Sequence, residues 1–198
     1  MAKYKLTKTT KVWRGITLFQ IEATASFGDV EKGDLGGFIE KEGNLDVSGD
    51  AWVSGDAQVS GDAWVSGDAQ VFGDAQVYGD AQVYGDAQVS GSAQVYGSAR
   101  VYGSARVYGS AQVFGDAQVY GDAQVSGSAR VYGSARVYGK LKLSLGYFFG
   151  IRYQKEEIKY VKVDDDYELI CKGDIKVDEE TKNPKEIVID GATYVLKN

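Results

Sequence analysis

Histidine is missing from this sequence, and cysteine, proline and methionine each occur once. Without histidine the chain has no imidazole to act as the general base of a Ser-His-Asp triad or to ligate a metal. The single thiol, Cys171, excludes a disulfide framework and a zinc site built on several cysteines. We expect it to be a buried structural thiol in a reducing compartment. No catalytic residue, metal ligand or cofactor site is therefore predicted, and the chain is not expected to be an enzyme.

Long apolar runs are missing as well. The first six residues, Met1–Leu6, contain two lysines and no apolar signal region, and no stretch approaches the length of a membrane span. We therefore expect a cytoplasmic protein with no membrane association. The net charge of -6 argues against direct nucleic-acid binding, which needs cationic side chains to displace counterions.

A six-residue repeat fills the middle of the chain, from Val47 to Tyr138. Each hexad reads Val, then Ser, Tyr or Phe, then Gly, then Asp or Ser, then Ala, then Gln, Arg or Trp. The order Ala, polar, Val, then Ser or Tyr alternates inward and outward as a β-strand does, whereas Gly followed by Asp or Ser forms turns. One such strand cannot bury its Val and Ala alone, so the hexads must coil and the coils must stack.

This motif, an aliphatic residue followed four positions later by a small one, resembles the hexapeptide repeat of the left-handed β-helix proteins. About sixteen consecutive hexads carry it. The resemblance implies three hexads per coil and a left-handed coil. We therefore expect an all-β fold: a left-handed parallel β-helix of about five to six coils with small β caps at both ends.

Three regions are predicted along the chain: an N-terminal β cap over residues 1–40, the repeat helix over 41–145, and a C-terminal antiparallel β cap over 146–198. In the first cap, predicted strands at Lys3–Leu6 and Ile16–Thr24 flank a polar connection at Thr7–Gly15. Ile39 and Leu45 are expected in the Ala positions of an imperfect first coil. The C-terminal cap, expected to cover the open end of the last coil, contains predicted strands at Tyr147–Tyr153, Ile158–Val163, Tyr167–Cys171, Glu186–Ile189 and Ala192–Leu196.

With three hexads in each coil, the outward residues fall into columns, one residue per coil. The first face stacks Tyr84, Tyr102, Tyr120 and Tyr138. The second face stacks Tyr78, Tyr96, Phe114 and Tyr132. The third face alternates Phe72, Ser90, Tyr108 and Ser126. Cross-strand aromatic pairs stabilise a sheet, and exposed tyrosine stripes also form interfaces. Between an interface and a platform for sugars or nucleotides, we favour self-association of the first two faces, as a homodimer about a two-fold axis.

Charge is distributed unevenly along the repeat. The first half carries acidic corners and no Lys or Arg among them, at Asp50, Asp56, Asp62, Asp68, Asp74, Asp80 and Asp86. The second half is mildly basic, with Arg100, Arg106, Arg130 and Arg136 against Asp116 and Asp122. The acidic corners have two interpretations. They are turn residues that accept backbone N–H groups, or they mimic a polyanion, with one carboxylate per roughly 1.6 Å against ~1.7 Å per charge in duplex DNA.

The N-terminal run Phe27–Glu40 is similar to the lead-in of a group of bacterial and prophage hexapeptide-repeat proteins described as acyltransferase-like. That resemblance implies acyl transfer, but the catalytic histidine and the loop ejected from a coil are both missing here. The favoured hypothesis is a non-enzymatic inhibitor of phage or prophage origin, of the anti-CRISPR type. Its partner would be a cationic CRISPR nuclease or another nucleic-acid-binding defence enzyme. The alternatives are a self-assembling structural β-helix and an acyltransferase-like relative without its histidine.

Overall fold

The computed structural model describes residues 2–150 and, beyond them, four strands at 159–162, 168–171, 186–189 and 192–195. Residues 1–152 and 153–198 form two separate compact units. The first unit is a parallel β-solenoid of about six turns, because three sheets run along it with one short strand from each coil. Helix is confined, in the described residues, to one 3₁₀ turn at Glu42–Asn44. None of the described helical structure is long and apolar enough to cross a bilayer.

Each face of the solenoid is one sheet. The first face contains Trp64–Val65, Gln82–Val83, Arg100–Val101, Gln118–Val119 and Arg136–Val137. The third face contains Trp52–Val53, Gln70–Val71, Gln88–Val89, Arg106–Val107, Gln124–Val125 and Lys142–Leu143. The second face contains β1 (Tyr4–Trp13), β2 (Ile16–Ala23), β3 (Leu35–Ile39), Gln58–Val59, Gln76–Gly79, Gln94–Gly97, Gln112–Val113, Arg130–Gly133 and Tyr147–Gly150.

In the regular coils, partner residues are 18 positions apart, as Gln70 and Gln88 are. The predicted coil of three hexads is therefore confirmed. Residues that are 18 positions apart in the sequence therefore stack on the same face, one from each coil. For this reason the same residue type recurs from coil to coil.

The core of the solenoid consists of alternating Ala and Val. Val95 and Ala99 have no solvent-exposed surface, and the same is true of nearly all their equivalents in other coils. Each buried Val contributes roughly 1.5 kcal/mol or more. Stability therefore comes from many identical layers, each of which is small.

The corners bring the backbones of successive coils close together. Gly85 has φ +71°, and a Cβ atom placed on it would lie 3.1 Å from the backbone nitrogen of Gly103. At several corners, the backbone N–H of the residue after the glycine donates to a carbonyl of the neighbouring coil. For example, the Asp74 N–H donates to the Gly91 carbonyl over 2.9 Å. The corner carboxylates are therefore mostly not needed as local acceptors.

The interpretation of the acidic corners as acceptors of backbone N–H groups is correspondingly wrong for most of them. Among the seven predicted corner aspartates, all within the described part of the chain, only Asp68 accepts such a bond, from the Asp50 N–H over 3.0 Å.

The N-terminal hairpin is longer than predicted. β1 continues to Trp13 and pairs antiparallel with β2, so that Thr10 lies opposite Phe19. The predicted polar connection over residues 7–15 is therefore wrong. Only Arg14 and Gly15, with φ of 49° and 79°, form the turn. The sequence did not predict this part of β1 because its exposed side chains are mostly polar. Its conformation depends on pairing with β2.

The first coil is also displaced from the repeat. Ile39 pairs with Val59, and Leu45 bridges to Val65, so both occupy Val positions and the prediction of Ala positions is wrong. These pairs are 20 residues apart instead of 18, and Val47 is consequently 54% exposed. On the third face, pairing at 18 positions begins with Trp52 and Gln70. The larger Ile39 and Leu45 side chains occupy positions where Val side chains pack in the other coils.

Beyond the predicted helix end at residue 145, Tyr147–Gly150 pairs in parallel with Arg130–Gly133. This strand continues the solenoid, and its prediction as part of an antiparallel cap is wrong. Lys159–Lys162 pairs antiparallel with Glu168–Cys171. Another antiparallel pair joins Glu186–Ile189 and Ala192–Val195. The prediction for the Cys171 thiol lies outside the side chains that the structure describes.

Candidate interaction surfaces

A buried lysine closes one side of the N-terminal end of the solenoid. The Lys3 ammonium group donates to the carbonyl oxygens of Gly49 and Ala51, each over 2.9 Å, and lies 4.7 Å from the centre of the Phe27 ring. Burial lowers the pKa of Lys3, and nearby carboxylates oppose that shift. Those carboxylates belong to Asp46, Asp50 and Asp68. The first acidic corners therefore surround a cation that the repeat itself does not contain.

Two further lysines of the N-terminal region pair with acidic corners. The Lys11 ammonium lies 3.5 Å from an Asp56 carboxylate oxygen, and the Lys41 ammonium lies 2.6 Å from an Asp62 oxygen. The hydrogen bond from Lys41 lowers the pKa of Asp62. No motif predicts these pairs, because each joins residues far apart in sequence. They reduce the acidic charge of the first coils.

Apart from the carboxylates around Lys3, the acidic corners that form no such ion pair among the described residues are Asp74, Asp80, Asp86, Asp116 and Asp122. Asp74, Asp80 and Asp86 are consecutive corners of one coil, and all three are exposed. No Lys or Arg of the described residues forms a salt bridge with them. They form the strongest uncompensated acidic surface of the described solenoid, which we call the acidic coil.

The predicted aromatic columns are present on the first two faces. On the first face, ring centres are 4.9, 4.9 and 5.2 Å apart with interplanar angles of 1°, 4° and 10°. On the second face, they are 4.9, 4.9 and 5.1 Å apart with angles of 1°, 1° and 5°. On the third face, Phe72 and Tyr108 are separated by Ser90, so that no continuous column forms.

The second column is longer than the repeat predicts. Trp13, at the hairpin tip, contacts Tyr78 edge-on at 5.2 Å, and the Arg14 guanidinium lies 4.6 Å from both of those rings. At the other end, Phe149 stacks on Tyr132 at 5.6 Å. Only a fold-back of the hairpin onto the solenoid brings Trp13 there, and the hexad pattern contains no signal for it.

Ring orientation limits what these columns can bind. Because the rings stack along the solenoid at 4.9 to 5.2 Å, neighbouring rings cover their faces. Sugars and nucleobases stack on open aromatic faces, so the interiors of the columns are poor platforms for them. Burial raises the pKa of Tyr96, Tyr102 and Tyr120, so these phenols stay uncharged at neutral pH. This geometry favours flat contact with another protein surface.

Glutamines line the second face beside the tyrosines. The Gln94 side-chain amide donates to Gln76 over 3.3 Å, and Gln112 donates to Gln94 over 3.5 Å. No group of three or more His, Cys, Asp or Glu side chains within the described residues converges to hold a metal ion. A solvent-open depression of about 570 Å³ is lined by Ser26, Gly28, Asp29, Val30, Glu31 and Lys32. Within this depression, the described hydrogen bonds do not join the Ser26 hydroxyl group to a carboxylate that could act as its base.

Comparison with known families supports the architecture. A family model, the YdcK β-solenoid repeat, matches residues 57–73, 75–91, 81–97, 93–109, 99–115, 117–133 and 123–139. All of these segments lie in the solenoid, and over them the chain is similar to that repeat. No curated protein matches the chain. The family description concerns the repeat architecture and names no reaction or partner.

Proposed function

We propose that this β-solenoid repeat protein is a non-catalytic binding protein that docks its acidic coil on a cationic surface of a partner protein and inhibits the partner by occupying that surface. The observation that carries this proposal is the position of Asp74, Asp80 and Asp86. They are exposed at consecutive corners of one rigid coil and lack a basic partner in the described structure.

The spacing of these carboxylates suits a surface that normally binds nucleic acid. Three corners in each coil, with coils ~4.8 Å apart, place one carboxylate per roughly 1.6 Å of axis, close to the ~1.7 Å per charge of duplex DNA. Lys11 and Lys41 neutralise Asp56 and Asp62. The Lys3 ammonium group lies near Asp50 and Asp68. The mimicry is therefore confined to the acidic coil.

The absence of catalysis is supported by the continuity of the coils. Partner residues remain 18 positions apart from Gln70 through Lys142, so no coil in this part ejects a loop that could shape a reaction site. The missing histidine removes the general base of the hexapeptide-repeat acyltransferases that the repeat resembles. A bacterial defence enzyme of the CRISPR nuclease type is the partner class that the prophage-like N-terminal run favours.

Capture from a bacterial lysate at low salt tests the proposal. The bait is the wild-type chain, compared with D74N/D80N and with the matched control D116N/D122N, which removes the same charge from the other half. We expect a captured nucleic-acid-binding protein that is lost with D74N/D80N, retained with the control and displaced by duplex DNA. Capture that is equal for all three baits, or insensitive to duplex DNA, would contradict it.

A self-assembling structural role is the second candidate, and the stacked aromatic columns favour it. Stacked tyrosines along a flat face suit contact with another copy of the chain, because aromatic residues are enriched in protein interfaces. Growth of filaments with concentration, measured by light scattering, is expected under this role and is not expected for an inhibitor that acts as a small discrete particle.

A further inference from the structure

The first face differs from the second in what lies on it. On the second face, the hairpin tip with Trp13 and Arg14 rests on Tyr78 and stands above the sheet. On the first face, the rings from Tyr84 to Tyr138 stack only on one another, and no other aromatic ring or cationic group of the described residues lies against them. A flat partner can therefore lie along the first face, whereas the hairpin obstructs the second.

The edge of the first face that follows its tyrosines is a single corner column. Gly85, Gly103, Gly121 and Gly139 stack in succession, each Cβ position of the first three lying 3.0 to 3.1 Å from the next backbone nitrogen. The residues that follow these glycines are Asp86, Ser104, Asp122 and Lys140. This edge therefore carries a carboxylate in its first coil, a second carboxylate in its third coil and a lysine in its last coil.

We propose that the first face is a self-association surface on which a second copy of this chain packs antiparallel, about a two-fold axis perpendicular to the solenoid. Such an axis reverses the order of the coils and leaves each column facing its own counterpart. With Tyr84 of one copy opposite Tyr138 of the other, Tyr102 lies opposite Tyr120.

Charge complementarity selects this arrangement. In the same register, Asp86 of each copy lies opposite Lys140 of the other, and symmetry repeats the pair. Arg100 and Arg136 lie opposite the uncharged Gln118 and Gln82. No two like charges meet in this register.

The parallel arrangement is disfavoured by the same charges. A two-fold axis along the solenoid leaves the coils in the same order and exchanges the two edges of the face. It would bring Asp86 against Asp80, and opposed like charges weaken association. Antiparallel packing is the orientation in which the acidic and basic ends meet.

The contact is small. The column from Tyr84 to Tyr138 spans three inter-coil steps, roughly 15 Å. A face of this length buries less than the ~800 Å² per partner of a standard interface. The dimer is therefore weak and dissociates on dilution, and salt weakens it further, because the edge pairs are solvent-exposed.

Sedimentation equilibrium over a wide concentration range tests the proposal with four variants of the full chain. K140D sets Asp86 against a new carboxylate, and D86K sets Lys140 against a new ammonium group. The double variant D86K/K140D restores the opposite charges with their positions exchanged. K142D makes the same charge change on the third face and is the matched control.

We expect a concentration-dependent dimer whose dissociation constant rises about tenfold or more in each single edge variant. It should return to the wild-type value in D86K/K140D and stay unchanged in K142D. A monomer at all concentrations would overturn the proposal. So would a dimer that the edge variants leave unchanged, or one that the double variant fails to restore. The inference does not depend on the acidic coil binding a partner, since D74N/D80N leaves both edge residues intact.

Discussion

The side-chain amide nitrogen of Asn44 donates a hydrogen bond to the backbone carbonyl oxygen of Ala63 over 2.8 Å. It also donates to the Gly61 carbonyl over 3.0 Å, while its side-chain oxygen accepts the Lys41 N–H over 2.9 Å. Asn44 is fully buried. Its side chain thus supplies the donors that the backbone of a preceding coil would provide. Lys3 does the same at the next corner, where its ammonium group donates to the carbonyls of Gly49 and Ala51.

Replacing Asn44 by alanine should therefore destabilise the solenoid. The buried hydrogen bond to the Ala63 carbonyl and the partly buried one to the Gly61 carbonyl are lost. An unsatisfied buried group costs about 1–3 kcal/mol. We expect N44A to lower the free energy of unfolding by about 2–4 kcal/mol, measured by urea denaturation. The exposed ion pair between Lys41 and Asp62 provides the control, because solvent screens this pair and K41A should cost much less than N44A. Equal effects of the two substitutions would contradict this role for Asn44.

Alanine substitutions at two corner glycines distinguish the cost of backbone strain from the cost of close contact between coils. Gly85 and Gly139 have almost the same φ, +71° and +69°, but only at Gly85 does an added Cβ meet another coil among the described residues. G139A should cost only the strain of positive φ, about 1–2 kcal/mol. G85A should cost more, because the Gly103 backbone must move. If thermal denaturation gives the same loss for both, close packing of the corners is not limiting.

Tyr4 makes the stability of the N-terminal end dependent on pH. Its hydroxyl group lies 2.7 Å from the Glu42 carbonyl oxygen and 2.8 Å from that of Leu45, and it can donate to one of them at a time. Burial, with a smaller contribution from Glu42 and then Asp46, raises its pKa to about 12. The folded state therefore holds this proton more tightly than the unfolded state, in which the pKa is about 10.

The stabilisation from Tyr4 should be complete below pH 10 and lost as the pH rises towards 12. We expect the stability difference between the wild type and Y4F to fall by about 1 kcal/mol per pH unit in that window. Urea unfolding of both proteins at a series of pH values measures the difference and cancels the other titrating groups. Parallel pH profiles for the two proteins would refute the prediction.

The contribution of ring stacking can be measured by comparing two tyrosines. Tyr96 stacks on Tyr78 and Phe114 at 4.9 Å on both sides, whereas Tyr108 lies between Ser90 and Ser126 in its column. Each aromatic cross-strand pair contributes about 0.2–1 kcal/mol. Y96S should therefore cost about 0.5–2 kcal/mol more than Y108S. Equal unfolding free energies for the two variants would mean that the columns do not stabilise the fold.

The hexad pattern predicts stacked coils of short strands with inward Ala and Val. The number of three hexads per coil, and with it both aromatic columns, was predicted from the resemblance to the hexapeptide-repeat β-helix proteins. Where the period fails, the prediction fails with it. Ile39 and Leu45 lie at the correct distance for Ala positions, yet their volume places them opposite Val59 and Val65. The resulting longer coil exposes Val47.

The candidate surfaces were predictable only in part. The positions of Asp74, Asp80 and Asp86 follow from the repeat, but the neutralisation of other corners does not. Lys11 and Asp56 are 45 positions apart, and only the path of the hairpin brings them together. For the same reason no pattern signals that Trp13 lies on Tyr78. Long-range contacts of the non-repeating end decide which corners and which face remain accessible.

Carboxyl labelling of the chain in complex with its captured partner tests most directly whether the partner binds the acidic coil. A carbodiimide with glycine ethyl ester modifies exposed carboxylates, and mass spectrometry locates the label. The account predicts that the partner protects Asp74 and Asp80 and leaves Asp116 and Asp122 labelled as in the free protein. Protection confined to Asp29 and Glu31 in the N-terminal depression, with the acidic coil fully labelled, would contradict it.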